Sequence, residues 1–503
     1  MLLIISKIFH IIIFGDFIME KNIFNEDHLN RLPTVRISKI TIKNIKDVKN
    51  GVLEFACSKT FVPEGTHCDI LGIYGQNGSG KTTLIQVLKL IKGLISGYKL
   101  SPSVAELISY NCESSFVEIK FEFQYPNSDV RDVIYSFNMC KQNSDDDNFD
   151  EETKENALVS KTGQRFKPLI YDEKLSFSGT INGKKYKQQI FLEVNNDENI
   201  GPNSKLSNYF SATTLSRDKF YKISSNIYVA RKAAKSSLFS KEFFSLIDNN
   251  SNPFVEMIKE LKLFAEDFLY VFNSSDNVFV RGNFALPIYT EIGPFFIHVD
   301  RPNVVQKEIF EIINNEIFKI SSVLSKLIPG LELTLINIVN TKVDDGGDGV
   351  SFELASKRGE RILPIRYEAD GVRKIIMYIK LIIAAFNQKS TTVAIDELDA
   401  GVFEFLIGEI LEIFEKHGKG QLIFTSHNLR PLEILDKKFL CFTTSNPENR
   451  YIRLKGVGHS NNLRLLYLKE VALGGTQDET LYNKEKQFSI LGALKKCKVF
   501  EEY

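Results

Sequence analysis

Residues Leu71-Gly72-Ile73-Tyr74-Gly75-Gln76-Asn77-Gly78-Ser79-Gly80-Lys81-Thr82-Thr83 carry an apolar run into a glycine-rich turn that ends in Lys-Thr. Gly75, Gly80, Lys81 and Thr82 satisfy the pattern G-x-x-x-x-G-K-[ST], and both flanks suit it. Ile70 to Tyr74 reads as a buried strand, and Thr83 to Ile91 continues as a helix. Glycines at these places let consecutive N–H groups converge on the β- and γ-phosphates of a nucleotide. The helix N-terminus adds its positive end, Lys81 supplies a mobile cation, and the Thr82 hydroxyl can complete a Mg²⁺ shell. Gly75, Asn77, Gly78, Ser79, Gly80, Lys81, Thr82 and Thr83 are therefore expected to hold a nucleoside triphosphate. The competing reading, a strand-turn-helix with chance glycines, does not explain the whole pattern in its proper context.

A chain of 503 residues is long for one core and implies two or three structural units. Hydrophobic residues at 43% and charged residues at 25% are those of an ordinary globular protein. The net charge is zero, so any contact with nucleic acid has to come from a local patch. Cys57, Cys68, Cys112, Cys140, Cys441 and Cys497 are scattered without a C-x-x-C pair, which fits a reduced, cytoplasmic protein better than a disulfide framework. Leu2 to Ile18 is apolar but interrupted by Lys7, His10 and Asp16. It makes a poor signal peptide and is short of the ~20 apolar residues of a membrane span. Translation from Met19 is the favoured reading, and no membrane attachment is expected.

Val35 to Ile45 alternates apolar and polar residues, as a half-buried strand does, and Val52 to Phe55 begins a second. Ser115 to Phe123 alternates cleanly, with Val133 to Phe137 as its hairpin partner. An acidic run from Asn143 to Glu152 holds four Asp but lacks the glycine and ligand spacing of a calcium loop, so it reads as solvated loop. Leu175 to Phe177 and Tyr186 to Leu192 suggest strands around a turn at Ile181-Asn182-Gly183-Lys184. Phe239 to Phe272 and Val304 to Leu327 read as mainly helical, and residues 141–330 are expected to form an insertion. Long heptads with charged flanks are missing from these helices. Arg231-Lys232-Ala233-Ala234-Lys235 is the most compact basic cluster. It reads as a solvated face, with contact to a phosphate backbone as the alternative. Leu331 to Val343 and Val350 to Leu354 are expected as a hairpin.

A second set of chemical residues follows. Thr392-Val393-Ala394-Ile395 is an apolar strand ended by Asp396 and Glu397. In a triphosphatase, Asp396 would hold Mg²⁺ while Glu397 polarises the attacking water. Gln421 to Thr425 is a further buried strand, ended by Ser426 and His427, where His427 is placed to sense the γ-phosphate.

With Tyr367-Glu368-Ala369-Asp370-Gly371-Val372-Arg373-Lys374 and Asp396-Glu397-Leu398-Asp399-Ala400-Gly401 added, the order of motifs over residues 35–475 resembles the ABC-type ATPase heads of the SMC and RecF kind. It is more similar still to the compact heads of prokaryotic phage-defence systems such as PARIS, Septu and related abortive-infection modules. The resemblance implies an α/β P-loop NTPase of ABC-head type, a mixed sheet flanked by helices with an inserted, mainly helical domain. The head's first lobe would span 35–140 and its second 331–475, with a leader and a tail of 476–503 outside them. The resemblance also implies a homodimer or higher oligomer sandwiching ATP and Mg²⁺, with Gly371 of one copy near the γ-phosphate held by the other and Asp399 coupling the two sites. Ala369 stands where such heads usually carry Ser, so one hydroxyl donor is missing and slow turnover is expected.

No nuclease or hydrolase constellation is visible elsewhere in the sequence. The chain therefore reads as an ATPase switch in an antiviral module, controlling a separate toxin or nuclease effector and triggered by a phage protein or nucleic acid. The alternative is a RecF-like DNA-maintenance ATPase that binds DNA directly. A transporter subunit comes third.

Overall fold

The computed structural model describes residues 32–56, 68–143, 158–159, 165–194, 200–201, 217–244, 252–273, 285–290, 293–343, 346–453 and 463–473. The apolar leader, nearly all of the acidic run and the final tail lie outside them. The described residues fall into two compact units. The larger is drawn from Pro33–Ser274, Ala385–Leu398 and Ile407–Tyr503, the smaller from Ser275–Ala384 and Asp399–Leu406.

The larger unit opens with β1 (Thr34–Ile45), β2 (Val48–Glu54) and β3 (Asp69–Tyr74), then α1 (Lys81–Ile95). Next come β4 (Ser114–Gln124), β5 (Val130–Asn143), β6 (Leu158–Val159), β7 (Arg165–Ile181), β8 (Lys184–Val194) and β9 (Ile200–Gly201). Then follow α2 (Arg217–Lys232), α3 (Lys241–Phe244), α4 (Pro253–Leu263) and β10 (Leu269–Phe272). The smaller unit holds β11 (Ala285–Thr290), β12 (Gly293–His298), β13 (Asn303–Gln306), α5 (Lys307–Leu327), β14 (Glu332–Lys342), β15 (Asp348–Arg358), β16 (Arg361–Pro364) and most of α6 (Asp370–Asn387). The larger unit resumes with β17 (Thr392–Ile395), most of α7 (Glu404–His417), β18 (Gln421–Thr425), α8 (Pro431–Ile434), β19 (Leu440–Thr443), β20 (Tyr451–Ile452) and α9 (Leu463–Leu473).

Two sheets build the larger unit. The first is antiparallel, in the order β2-β1-β4-β5-β7-β8-β9 with β6 on β7, and its strands alternate in burial as their sequences alternate in polarity. The second runs β10-β17-β18-β3-β19-β20 and is parallel except for β20. Its short strands β3, β17 and β18 are buried at every position, the pattern of a parallel sheet covered on both faces. One apolar cluster joins residues of both sheets to α1, which is buried nearly all round and leaves Lys89 exposed. The fold is α/β, with one antiparallel and one mixed sheet in this unit and helices flanking them.

Several expected boundaries move. Leu269 to Phe272 is a strand rather than the end of a helix. It pairs in parallel with β17 in the register Leu269↔Thr392 to Phe272↔Ile395, after a π-helical turn over Phe264–Phe268 ends the helix. A short apolar run carries no period that separates the two readings, and a neighbouring strand decides. Asn303 to Gln306 is likewise a strand, paired with β15, so the helix expected from Val304 begins at Lys307. β2 begins at Val48, four residues before the expected start. Residues 141–330, expected as one insertion, contribute to both units. The hairpins around Asn182-Gly183 and between β14 and β15 form as the sequence suggests.

Candidate functional site

Parallel strands deliver their C-terminal ends to one edge of a sheet, and the chemical residues of the larger unit collect there. β3 ends in the phosphate loop, β17 in Asp396-Glu397 and β18 in Thr425-Ser426-His427, with β18 lying between the other two. The loop begins at Gly75. Gly78 and Gly80 adopt φ of 75° and 92°, left-handed conformations that a side chain disfavours, and Gly80 forms the N-cap of α1. Asn77 and Gly78 are exposed, while Ser79, Gly80, Lys81 and Thr83 are buried and Thr82 half-buried. Lys81 Nζ donates to the carbonyls of Gly75 at 2.7 Å and Gln76 at 2.9 Å, so the cation stands over the loop's own backbone.

Thr82 Oγ1 donates to Asp396 Oδ1 at 3.2 Å, which joins the loop to the end of β17. Asp396 is 2% exposed, and the same carboxylate oxygen accepts from Thr425 Oγ1 at 2.6 Å. Thr425 Oγ1 also accepts from the backbone N–H of Glu397 at 2.8 Å. One hydroxyl on β18 therefore fixes both acidic positions. Glu397 holds φ of 51°, a left-handed conformation for a residue with a side chain. Such strain, of about 1–3 kcal/mol, persists where surrounding structure enforces it. His427 is exposed, two residues past Thr425, in a turn held by Asn428 N–H donating to Ser426 Oγ at 3.0 Å and Arg430 N–H donating to Asn428 Oδ1 at 2.8 Å.

Gly371 and Asp399 belong to the smaller unit. Ala369 is exposed at the start of α6, where its carbonyl accepts from Arg373 N–H at 3.0 Å. Behind it, Glu368 is buried and accepts from Ser356 Oγ at 2.6 Å and from Arg358 at 3.1 Å.

The Thr82 hydroxyl and the Asp396 carboxylate form an all-oxygen pair suited to a hard cation such as Mg²⁺, which keeps most of its ligands as water and substrate oxygens. Among the described residues no group of three or more His, Cys, Asp or Glu could hold a metal ion.

Sequence reasoning missed three hydroxyls. Thr425 stands directly before Ser426-His427 and its strand-end position offered a signal. Thr443 and Tyr451 contact the phosphate loop from β19 and β20, and nothing in their local sequence points to it. In the basic cluster Arg231 is buried, 6% exposed, while Lys232 is exposed and Lys235 half-buried, so two of its three cations face solvent at least in part.

No curated protein matches this sequence. Among solved structures, an SMC head bound to the C-terminal winged-helix domain of ScpA is 14% identical, aligned over 83% of this chain and 97% of its own, with a TM-score of 0.37. The SMC head domain from Thermotoga maritima is 14% identical over 84% of this chain and 99% of its own, at 0.32. RecF with ATP is 11% identical over 84% of this chain and 100% of its own, at 0.31. At such scores these likenesses carry no weight here, and the fold class stands on strand order. A family model described as "AAA domain, putative AbiEii toxin, Type IV TA system" matches residues 70–433, from the strand before the phosphate loop to α8, and the chain belongs to that family.

Proposed function

We propose that the chain binds ATP with Mg²⁺ at the edge of its parallel sheet and hydrolyses it slowly, as the switch of an antiviral assembly that controls a separate toxin or nuclease effector. The observation that carries the nucleotide reading is the hydrogen bond from Thr82 to Asp396, which ties the phosphate loop to the strand bearing both carboxylates. Lys81 neutralises the β- and γ-phosphates, and the loop's N–H groups orient them. Thr82 and Asp396 would hold Mg²⁺, which would supply positive charge beside the transferred phosphoryl group. Glu397 orients the attacking water, and His427 senses the γ-phosphate from the neighbouring strand end.

Pairing of two copies around ATP, with Gly371 and Asp399 at the contact, is part of the same proposal. Phe403 and Phe405, 69% and 49% exposed with ring centroids 5.5 Å apart, stand just past Asp399-Ala400-Gly401 and favour an apolar partner surface there. The words toxin and Type IV TA system in the family description favour a defence role. The competing reading, a DNA-maintenance ATPase, calls for a basic surface, and the buried Arg231 weakens the one the sequence offers.

Phosphate release measured with the native protein, Lys81→Ala and Glu397→Gln tests the nucleotide reading. Lys81→Ala is expected to lose ATP binding, and Glu397→Gln to bind ATP and remain paired without turnover. A Glu397→Gln protein with native turnover places the catalytic base elsewhere. Native mass spectrometry of the complex from its own host, with ATP present, tests the switch. A second bound protein supports it, whereas a bare dimer that binds added DNA favours the maintenance reading.

A further inference from the structure

Beyond the end of the family match, at residue 433, the chain returns to the phosphate loop. β19 lies parallel to β3 in the register Leu440↔Gly72, Cys441↔Ile73 and Phe442↔Tyr74, so the next residue, Thr443, comes level with Gly75. Its hydroxyl fills the space where a side chain on Gly75 would begin: a Cβ there would stand 1.7 Å from Thr443 Oγ1. Thr443 Oγ1 lies 3.2 Å from the carbonyl of Tyr74 and shares a short hydrogen bond with Ser79 Oγ. Ser79 Oγ donates in turn to the Gln76 carbonyl at 2.6 Å. Across the strand pair Thr443↔Tyr451, the Tyr451 hydroxyl donates to the carbonyl of Gly80 at 2.8 Å. Thr443, Ser79 and Tyr451 are all buried, at 0%, 1% and 6% exposure.

These two side chains reach the loop at its entry, its middle and its exit. Their own support is rigid. Arg450 donates to the Thr444 carbonyl at 2.7 Å and to the Asp47 carbonyl in the turn between β1 and β2, while Thr444 Oγ1 donates to the Asn449 carbonyl at 2.6 Å. A loop that turns its N–H groups toward one point loses conformational freedom on binding phosphate unless something orders it beforehand.

We infer that Thr443 and Tyr451 are positioning residues for nucleotide binding, holding the phosphate loop in its receiving shape from outside the strand-loop-helix motif. The inference rests on the proposed binding of ATP at this loop.

Fluorescence titration of the full chain with a labelled ATP analogue and Mg²⁺ tests it, alongside thermal unfolding without nucleotide. Thr443→Val keeps the shape and deletes the hydroxyl, and is expected to weaken binding about tenfold, the loss of one buried hydrogen-bond network. Thr443→Ser restores the hydroxyl and is expected to bind within about twofold of native, a shift too small to represent a lost hydrogen bond. Tyr451→Phe removes a single oxygen and is expected to weaken binding about fivefold by the same reasoning. Native affinity in Thr443→Val, or equal weakness in Thr443→Ser and Thr443→Val, overturns the inference. If Thr443→Val does not fold, Tyr451→Phe decides on the same terms: weaker binding in a variant that still unfolds cooperatively supports positioning, and native affinity refutes it. A native protein that binds no ATP removes the nucleotide reading as a whole, whereas native binding undisturbed by these variants removes only the positioning role.

Discussion

Gly371 and Gly401 meet backbone against backbone. A Cβ on Gly371 would stand 1.8 Å from the Gly401 carbonyl oxygen, while Gly401 itself holds φ of +77°. The single glycine of α6 is thus locked to the segment that follows Asp399, within the smaller unit. Main-chain atoms cannot rotate away as a side chain can, so Gly371→Ala is expected to destabilise by about 3 kcal/mol, the upper end for an overpacked site. A Cβ on Gly401 would approach Gly371 no closer than 3.4 Å, and Gly401→Ala is expected to cost only the left-handed strain of about 1–2 kcal/mol. Denaturant midpoints of the two variants check the order.

Thr425 makes a second prediction. Its hydroxyl donates to Asp396 and accepts from the Glu397 N–H, so Thr425→Val releases a buried carboxylate and strands a backbone donor. A hydrogen bond to a charged group contributes about 1.5–3 kcal/mol, which corresponds to a loss of roughly ten- to hundredfold in turnover. The fall is expected in kcat more than in KM, with a raised Mg²⁺ requirement, and Thr425→Ser is expected to recover most of it. Steady-state hydrolysis across a Mg²⁺ series measures both quantities. Equal losses in the Val and Ser variants would show that the hydroxyl is not the cause.

The phosphate loop was legible because its chemistry is local: Gly75 to Thr82 lie in one stretch, and a strand before and a helix after complete the pattern. The strand before Asp396 and Glu397 was legible from its apolar residues, whereas the hydroxyls of Thr82 and Thr425 that meet Asp396 come from distant stretches of chain. Thr443 was not, because its contact with Ser79 spans 364 residues and depends on which strand lies beside β3. Leu269 to Phe272 failed for the same reason, since only the parallel partner at Thr392 to Ile395 turns that run into a strand. The basic cluster was read as a solvated face, which fits exposed Lys232, but Arg231 is buried, because a charge run reveals composition and not which side of the helix faces the core. Gly371 was expected near the γ-phosphate held by a second copy, and the structure adds a packing reason for glycine there, since a Cβ would stand 1.8 Å from the Gly401 carbonyl oxygen.

Ala369 separates a stability effect from a kinetic one. Its carbonyl accepts the first helical bond of α6, so it occupies the N-cap position, where Ser is preferred over Ala by about 1 kcal/mol. Ala369→Ser is therefore expected to raise the unfolding midpoint whatever the protein's activity. If the missing hydroxyl also slows turnover, the same variant is expected to increase ATP-dependent pairing and hydrolysis. A variant that is more stable but unchanged in both removes the explanation of slow turnover and leaves the capping effect intact.

Glu260 predicts how stability follows pH. Tyr125 OH donates to Glu260 Oε2 at 2.6 Å, and the Arg131 guanidinium lies 3.8 Å from the Tyr125 ring centroid. Burial pushes the Glu260 carboxyl up from 4.5 to about 7, against the opposing pull of the Tyr125 hydrogen bond and Arg131. A folded state with the higher pKa binds the proton more tightly than the unfolded chain. The stabilisation is complete below about pH 4.5, is lost as pH rises through about 7, and levels off about one pH unit above that. Its size is at most about 3 kcal/mol, less to the extent that solvent reaches the carboxyl. Glu260→Gln cannot titrate, so the difference in unfolding free energy between native and variant is expected to shift against the native protein between about pH 5 and pH 7.5. A difference that stays constant across that window would mean that Glu260 is ionised throughout.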